Sequence, residues 1–368
     1  MARPLVADID LKALRHNYRV ASELAPTSAN MAVIKADAYG HGAANCARAL
    51  AEAGAPAFGV ASLEEAIALR DAGISQPILL LEGIFDAGEL ARVEMLDLWQ
   101  VVHSDWQLEA LLAYRPARPL TVWLKLDSGM HRLGFTPEAF VVRWERLAAA
   151  GTQVATEGLH LISHFASADQ ARSVQFAAQW STIEQVRDRL GCRICVANSP
   201  ATLARPATHA AWNRPGVMLY GSNPLDGALP VGVSLDPVMT LRSRLIAVQT
   251  LEADEPVGYG GRFRTAGPSR IGIVAAGYGD GYDRHAVDGT PVLVDGVRAP
   301  LAGRVSMDML TVDISHLPAA KVGSEVVLWG RSSTGSVLSV DEVATHCDTI
   351  GYTLLTGVLP RVPRRFLE

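Results

Sequence analysis

Over the first two thirds of the chain, short apolar runs alternate with longer amphipathic ones. Met31–Ile34, Phe58–Ala61, Ile78–Leu81, Leu98–Val102, Leu120–Leu126, Gly158–Ser163, Ile194–Ala197 and a segment near Trp212–Leu219 each read as a buried strand. Helical spacing fills the gaps between them. Asp10 caps a helix through Leu24, with Leu11, Leu14 and Tyr18 on one face. Ala43–Ala53 is helical up to Gly54, and Ala87–Met95 follows the third strand. Ser62 with Glu65 and Ser104 with Gln107 have the spacing of capping boxes, for helices running to Ala72 and Tyr114. Thr136 before Pro137 starts a helix to Ala150. Asp169–Leu190 reads as one long helix and Pro200–Leu203 as a short one. Eight strands with helices between them, over residues 11–235, predict a (β/α)8 TIM barrel. Val6–Ile9 is a ninth strand with no place in that ring, so residues 1–10 are expected to join another sheet.

Near Asp236 the pattern changes. Short β-branched runs appear at Arg244–Thr250, Ile271–Ala275, Pro291–Val294, Met309–Asp313 and Glu325–Leu328, separated by turn signals such as Asp295-Gly296 and Gly323. Residues 236–368 therefore read as an all-β domain, interrupted by one short helix at Val340–Cys347.

Composition narrows the class without changing this architecture. The 368 residues are 49% hydrophobic and 19% charged, enough for two cores and inconsistent with disorder. A net charge of −5 with both signs interspersed gives no nucleic-acid patch or membrane anchor. No apolar run reaches the ~20 residues of a membrane span, and the first residues lack a signal-peptide core. A cytoplasmic protein is expected. The single C-x-x-C, Cys192 and Cys195, has no second pair to complete a zinc site, so it reads as strand packing before a redox dithiol.

In a barrel, chemistry gathers at the C-terminal ends of the strands. The first end gives Lys35 and Tyr39, inside MAVIKADAYGHG. A lysine amine delivered there can condense with a carbonyl cofactor and later move protons; a snorkelling edge lysine before a glycine-rich turn is the other reading. The fifth end gives Asp127 through Arg132, the sixth His164, the seventh Asn198-Ser199 and the last Arg214-Pro215-Gly216. The ends near Glu82 and His103 offer less. Taken singly, His164 is a satisfied histidine and Arg132 a partner for Asp127. Together, lysine, histidine and two arginines on one rim predict an anion site, with a phosphate on Gly216, Val217, Ser199 and Tyr39. No Walker pattern, G-x-G-x-x-G or H-E-x-x-H is present, and His160 and His164 on an alternating strand do not form a helix-type metal pair, so no metal is expected.

The segments AVIKADAYGHG, KLDSGMHRLGF, SHFASAD, NSPA, NRPGVMLYG, VGYGGRF, AAGYGDGYDR, GRVSMDM and GYTLLTGVLPRVPRR resemble, in order, the motifs of bacterial alanine racemases, over nearly the whole chain. The resemblance implies a pyridoxal 5'-phosphate barrel with a C-terminal β domain, working as a head-to-tail homodimer. It implies interconversion of L- and D-alanine, either supplying D-alanine for peptidoglycan or serving alanine catabolism. Lys35 would carry the cofactor as an aldimine and be one base. Tyr259 of the β domain would be the opposite base, contributed by a second subunit, with His164 and Arg214 supplying the positive setting a tyrosine needs. Arg214 would face the pyridine nitrogen. Tyr39, Ser199, Gly216, Val217 and Tyr352 would hold the phosphate. Arg132 and the Met307 amide would meet the substrate carboxylate. Tyr278 and Asp308 would shape the access path, and Lys125 matches a lysine often carbamylated in such enzymes, a plain Lys125–Asp127 pair being the alternative. Gly258 and Ser306 stand where many relatives have serine and cysteine, which bears on the shape of the access path and the substrate range. The competing functions are a racemase of another amino acid such as serine, a barrel-type decarboxylase, which usually places an acid where Arg214 stands, and a non-catalytic pyridoxal-phosphate carrier, which would lack the β domain.

Overall fold

A computed structural model describes residues 3–368. Its first sheet is a ring of parallel strands: Ala29–Asn30 continuing into Ala32–Val33, then Phe58–Val60, Ile78–Leu80, Leu98–Val102, Leu120–Lys125, Val154–Ile162, Ile194–Cys195 and Trp212–Asn213. The two short pieces at 29–33 join the ends. Ala29 and Asn30 pair with Trp212 and Asn213, while Val33 pairs with Gly59 on the other side. Alternate side chains point inward, and Met31, Leu79, Val101, Trp123, Ile162 and Cys195 pack together with Trp99 and Trp212. This interior is a packed core and not a pore, so chemistry is confined to the strand ends.

Helix starts follow the expected caps in part. The Asp10 carboxylate accepts from Ala13 N at 3.0 Å ahead of the helix Leu11–Leu24, and Thr136 caps Pro137–Ala148. The helix expected from Asp169 begins instead at Val174, because Ser173 Oγ takes the Phe176 amide and Gln170 N turns back to Ser167 O. Neither predicted capping box closes. Ser62 and Ser104 make no side-chain cap. The Glu65 carboxylate accepts from Ala61 N and Ala36 N, both at 2.7 Å, and Gln107 accepts from His103 N while donating to the carbonyls of Glu82 and Ile84. Both side chains therefore tie neighbouring strand-end loops together. The last strand is also shorter than expected. It ends at Asn213, and Val217–Tyr220 forms a 3-10 turn.

The second sheet takes the ninth strand, as its lack of a place in the barrel predicted. Val6–Asp10 runs antiparallel to Met239–Leu251 and parallel to Arg364–Leu367. Pro291–Val294 and Val297–Pro300 form a hairpin around Asp295 and Gly296, both at positive φ, the backbone a tight two-residue turn requires. The short helix expected here is present as Val340–His346, and a second, unexpected one follows at Gly351–Gly357. The second carries Tyr352 to the barrel mouth, 6.0 Å from the Tyr39 ring. Among the described residues no helix is long and apolar enough to cross a membrane.

Asp8 fastens this sheet. It is buried, and its carboxylate binds Arg365 through two 2.8 Å hydrogen bonds and Arg242 at 2.7 Å. Removing one partner of such a pair strands the others. Asp8→Asn should lower unfolding stability by about 2 kcal/mol, discounted from a fully buried pair because the arginines are partly wet. Urea denaturation measures this, and an unchanged midpoint would show that the strand is held by its backbone ladder alone.

Candidate active site

The strand ends open on a cavity of about 640 Å³. Lys35, Lys125, Arg132 and Arg214 line it, and the one carboxylate among the lining residues is Glu82. Tyr39, His164, Ser199, Gly216, Val217 and Tyr352 complete most of the wall. The sequence reading passed over Glu82 and did not find Thr356, also on the wall; an acid after a strand and a threonine in a small-residue helix carry no distinguishing pattern.

Lys35 is followed by an unusual backbone. Ala36, Asp37, Ala38 and Tyr39 all adopt left-handed conformations, with φ between 52° and 54°. This is not the glycine-rich turn the sequence suggested, since the glycines come after it. An L-residue pays roughly 1–2 kcal/mol for this conformation, so four in a row need external support. His41, fully buried, provides some of it: Nδ1 lies 2.9 Å from both Ala38 O and Tyr39 O, while Nε2 has no partner among the described residues. That arrangement puts the proton on Nδ1 and leaves the ring neutral.

Arg214 is buried; Nη1 donates to Cys195 O and Cys195 Sγ, and Nη2 donates to Ser163 O and lies 3.4 Å from His164 Nδ1. Carbonyls and not carboxylates hold it, so its charge remains available to the cavity. Cys195 is thus a packing and acceptor residue, and all four cysteines are unpaired. His164 is held well below the usual histidine range, first by loss of water around it and then by Arg214 and Lys125. Both causes favour its neutral form. Lys125 is pushed down to about 7 by burial, and further by Arg214, Arg132 and Lys35.

The residues expected to hold a phosphate, Tyr39, Ser199, Gly216, Val217 and Tyr352, all line the cavity. Ser199 Oγ accepts from Gly216 N at 2.8 Å, bringing two predicted members together. A Cβ on Gly216 would stand 2.7 Å from the Tyr39 hydroxyl, so this position has no room for another residue. Burial raises the Tyr39 and Tyr352 hydroxyls above their ordinary value, which keeps them protonated as donors. Hydroxyls, an amide and nearby cations form the donor set that a phosphate ester and a carboxylate require.

Asp127 pairs with neither Arg132 nor Lys125. Its carboxylate accepts from the amides of Gly129, Met130 and His131 and meets His131 Nδ1 at 3.0 Å, shaping the loop that presents Arg132. Tyr259, Tyr278, Met307 and Asp308 do not line the cavity. Tyr259 is 69% exposed, in a turn between Pro256–Val257 and Phe263–Arg264. Gly258 has φ +70°, a conformation that suits glycine. Tyr278 and Met307 are adjacent, because Tyr278 N bonds Ser306 O and Gly279 N bonds Met307 O. Buried Asp280 pins this pair of loops through Arg3 and Arg361, and Arg361 continues to Asp308.

With this geometry established, comparison with known proteins gives a consistent result. Residues 9–224 match the family described as alanine racemase, N-terminal domain, and residues 238–366 match alanine racemase, C-terminal domain. The chain is 64% identical over 366 residues to an alanine racemase of Chromohalobacter salexigens, covering 100% of this chain and 98% of that one. It is 50% identical to a catabolic alanine racemase of Pseudomonas putida, covering 99% of each. The crystal structure of biosynthetic alanine racemase from Pseudomonas aeruginosa superposes with a TM-score of 0.93 at 48% identity, covering 100% of both chains.

Burial holds His41 down at about 4. Between the ordinary value near 6.5 and about 4, the unfolded chain binds a proton that the folded chain refuses. Stability from this group is therefore complete above pH 6.5 and falls as pH drops through that window. Between pH 7 and pH 5 His41 should account for about 2 kcal/mol of lost stability. Urea unfolding at both pH values should show a smaller pH dependence in His41→Asn, and equal dependence in the two proteins would refute the assignment.

Proposed function

Because the chain belongs to the alanine racemase family and interconverts L- and D-alanine, we propose that its barrel cavity holds pyridoxal 5'-phosphate on Lys35 and that a second copy of the chain completes the site with Tyr259. The observation that carries this reading is a division of the expected residues. Those assigned to the cofactor line one cavity, while Tyr259, Tyr278 and Met307 stand exposed outside it. Exposed large side chains on adjacent loops are what a contact with another chain uses. The division of the chain at residues 235/236, with residues 1–10 serving the second domain, belongs to the same reading.

Bound pyridoxal phosphate would supply an electron-withdrawing ring that acidifies the hydrogen on the amino acid's α-carbon. The chain's own groups do the rest. Racemisation removes that proton from one face and returns one to the other, which needs two bases on opposite sides. Lys35 Nζ serves one face and Tyr259 Oη the other. Arg214, held by neutral carbonyls on the cavity wall, would sit beside the bound ring; a guanidinium does not give up its proton, which would limit the ring's electron withdrawal and restrain side reactions. Tyr39, Ser199, Gly216, Val217 and Tyr352 would hold its phosphate. Arg132 and the Met307 amide orient the substrate carboxylate, with Tyr278 and Asp308 framing access. Lys125, titrating at about 7, keeps much of its amine unprotonated at neutral pH and can add carbon dioxide with release of a proton. Its charge then changes from positive to negative beside Arg132, which it would orient. Arg214, in place of an acid, speaks against a decarboxylase.

The test is direct. Purified protein with L-alanine and pyridoxal phosphate should form D-alanine, and borohydride should fix the cofactor's mass on Lys35. Tyr259→Phe should lower racemisation by about a hundredfold or more. No D-alanine despite cofactor on Lys35 would point to another substrate or a carrier, and a Tyr259→Phe protein as fast as the parent would remove tyrosine from the mechanism.

A further inference from the structure

We propose that His41 and Glu65, neither of which lines the cavity, are positioning residues that hold the left-handed turn Ala36–Tyr39 and thereby aim the Lys35 amine and the Tyr39 hydroxyl. The inference rests on the cofactor reading above. The turn joins two functional side chains: Lys35 immediately precedes its first left-handed residue, and Tyr39 is its last. None of its four left-handed residues is glycine, so the backbone would relax towards ordinary conformations if released, and any relaxation redirects one or both side chains.

The two ends are held separately. At the start, the Glu65 carboxylate takes the Ala36 amide at 2.7 Å and the Ala61 amide at 2.7 Å, tying the residue after Lys35 to the next strand-end loop. At the finish, the protonated Nδ1 of His41 donates to the carbonyls of Ala38 and Tyr39. The same imidazole stacks on Tyr220 at 4.6 Å, Tyr220 lies 4.9 Å from Tyr39, and the Tyr220 hydroxyl donates to Val33 O on the first barrel strand. His41, Tyr220 and Tyr39 thus form a row of rings leading from the buried interior to the cavity wall. The first clamp acts on the lysine end and the second on the phosphate end, so their losses should be felt in different quantities.

The experiment measures pyridoxal phosphate affinity of the apoenzyme by equilibrium titration, alongside kcat at saturating cofactor, for four variants. Glu65→Ala should lower kcat by about tenfold with a smaller change in cofactor affinity, the effect of losing strong charge-assisted hydrogen bonds at the lysine end. His41→Phe keeps the ring stack but loses the donor, and should weaken cofactor binding by about tenfold with a smaller change in kcat. Glu65→Gln, which retains an acceptor oxygen, and His41→Asn, which retains a donor, should each regain most of the loss and serve if the harsher variants fail to fold. Unchanged affinity and kcat in the folded variants would overturn the proposal. So would equal losses in both quantities that the conservative variants do not restore, the signature of a structural role only. If the parent protein itself binds no pyridoxal phosphate, the cofactor reading falls instead.

Discussion

Four basic side chains face one cavity against a single carboxylate, and much of the molecule follows from that imbalance. Lys35, Lys125, Arg132 and Arg214 come from different strand ends, and ring closure forces them together. Positive charges confined in a partly dry space repel one another, and anions relieve the repulsion. A phosphate and a substrate carboxylate are such anions. Burial first, and then that same field, holds His164 well below the usual histidine range and brings Lys125 down to about 7.

Holding repelling groups in place requires a stiff rim. Polar side chains supply it by joining neighbouring loops. Glu65 joins the first and second, Gln107 the third and fourth, and Gln179 the fifth and sixth through Ala166 N, Ser128 Oγ and His164 O. Asn198 reaches Phe165 O and Ser199 meets Gly216 N, continuing the ring to the eighth loop. Arg214 serves both purposes, binding two strand carbonyls while facing the cavity with its charge. The second domain contributes from above, through Tyr352 and Thr356 on the cavity wall and Arg364 at the Gly40 carbonyl.

The barrel was legible because its buried strands are continuous apolar runs and its helices are amphipathic, a contrast that survives in one dimension. The lysine at the first strand end and the basic residues at later ends could be placed for the same reason. What escaped depends on contacts distant in sequence. Ala36–Tyr39 read only as the approach to a glycine-rich turn, since no glycine marks its own left-handed path. Glu65 and Gln107 sat at capping-box spacing, but carboxylate and amide found better partners in adjacent loops. The helix Gly351–Gly357 has glycine at both ends and threonines inside, a pattern that local propensity reads as strand or turn. The charge state of His164 depends on burial and on Arg214, neither of which is visible from SHFASAD.

A cavity with its bases on one side is half of a racemase, and the proposed other half is Tyr259, which one chain leaves exposed. The most direct measurement mixes two damaged proteins, Lys35→Ala and Tyr259→Phe, under conditions in which copies exchange. Each alone should be nearly inactive. Every mixed pair would contain one intact site, built from Lys35 of one copy and Tyr259 of the other, so random mixing should restore about a quarter of the parent activity. Mixed pairs that form, as seen by native mass, yet show no gain over the separate proteins would contradict the account.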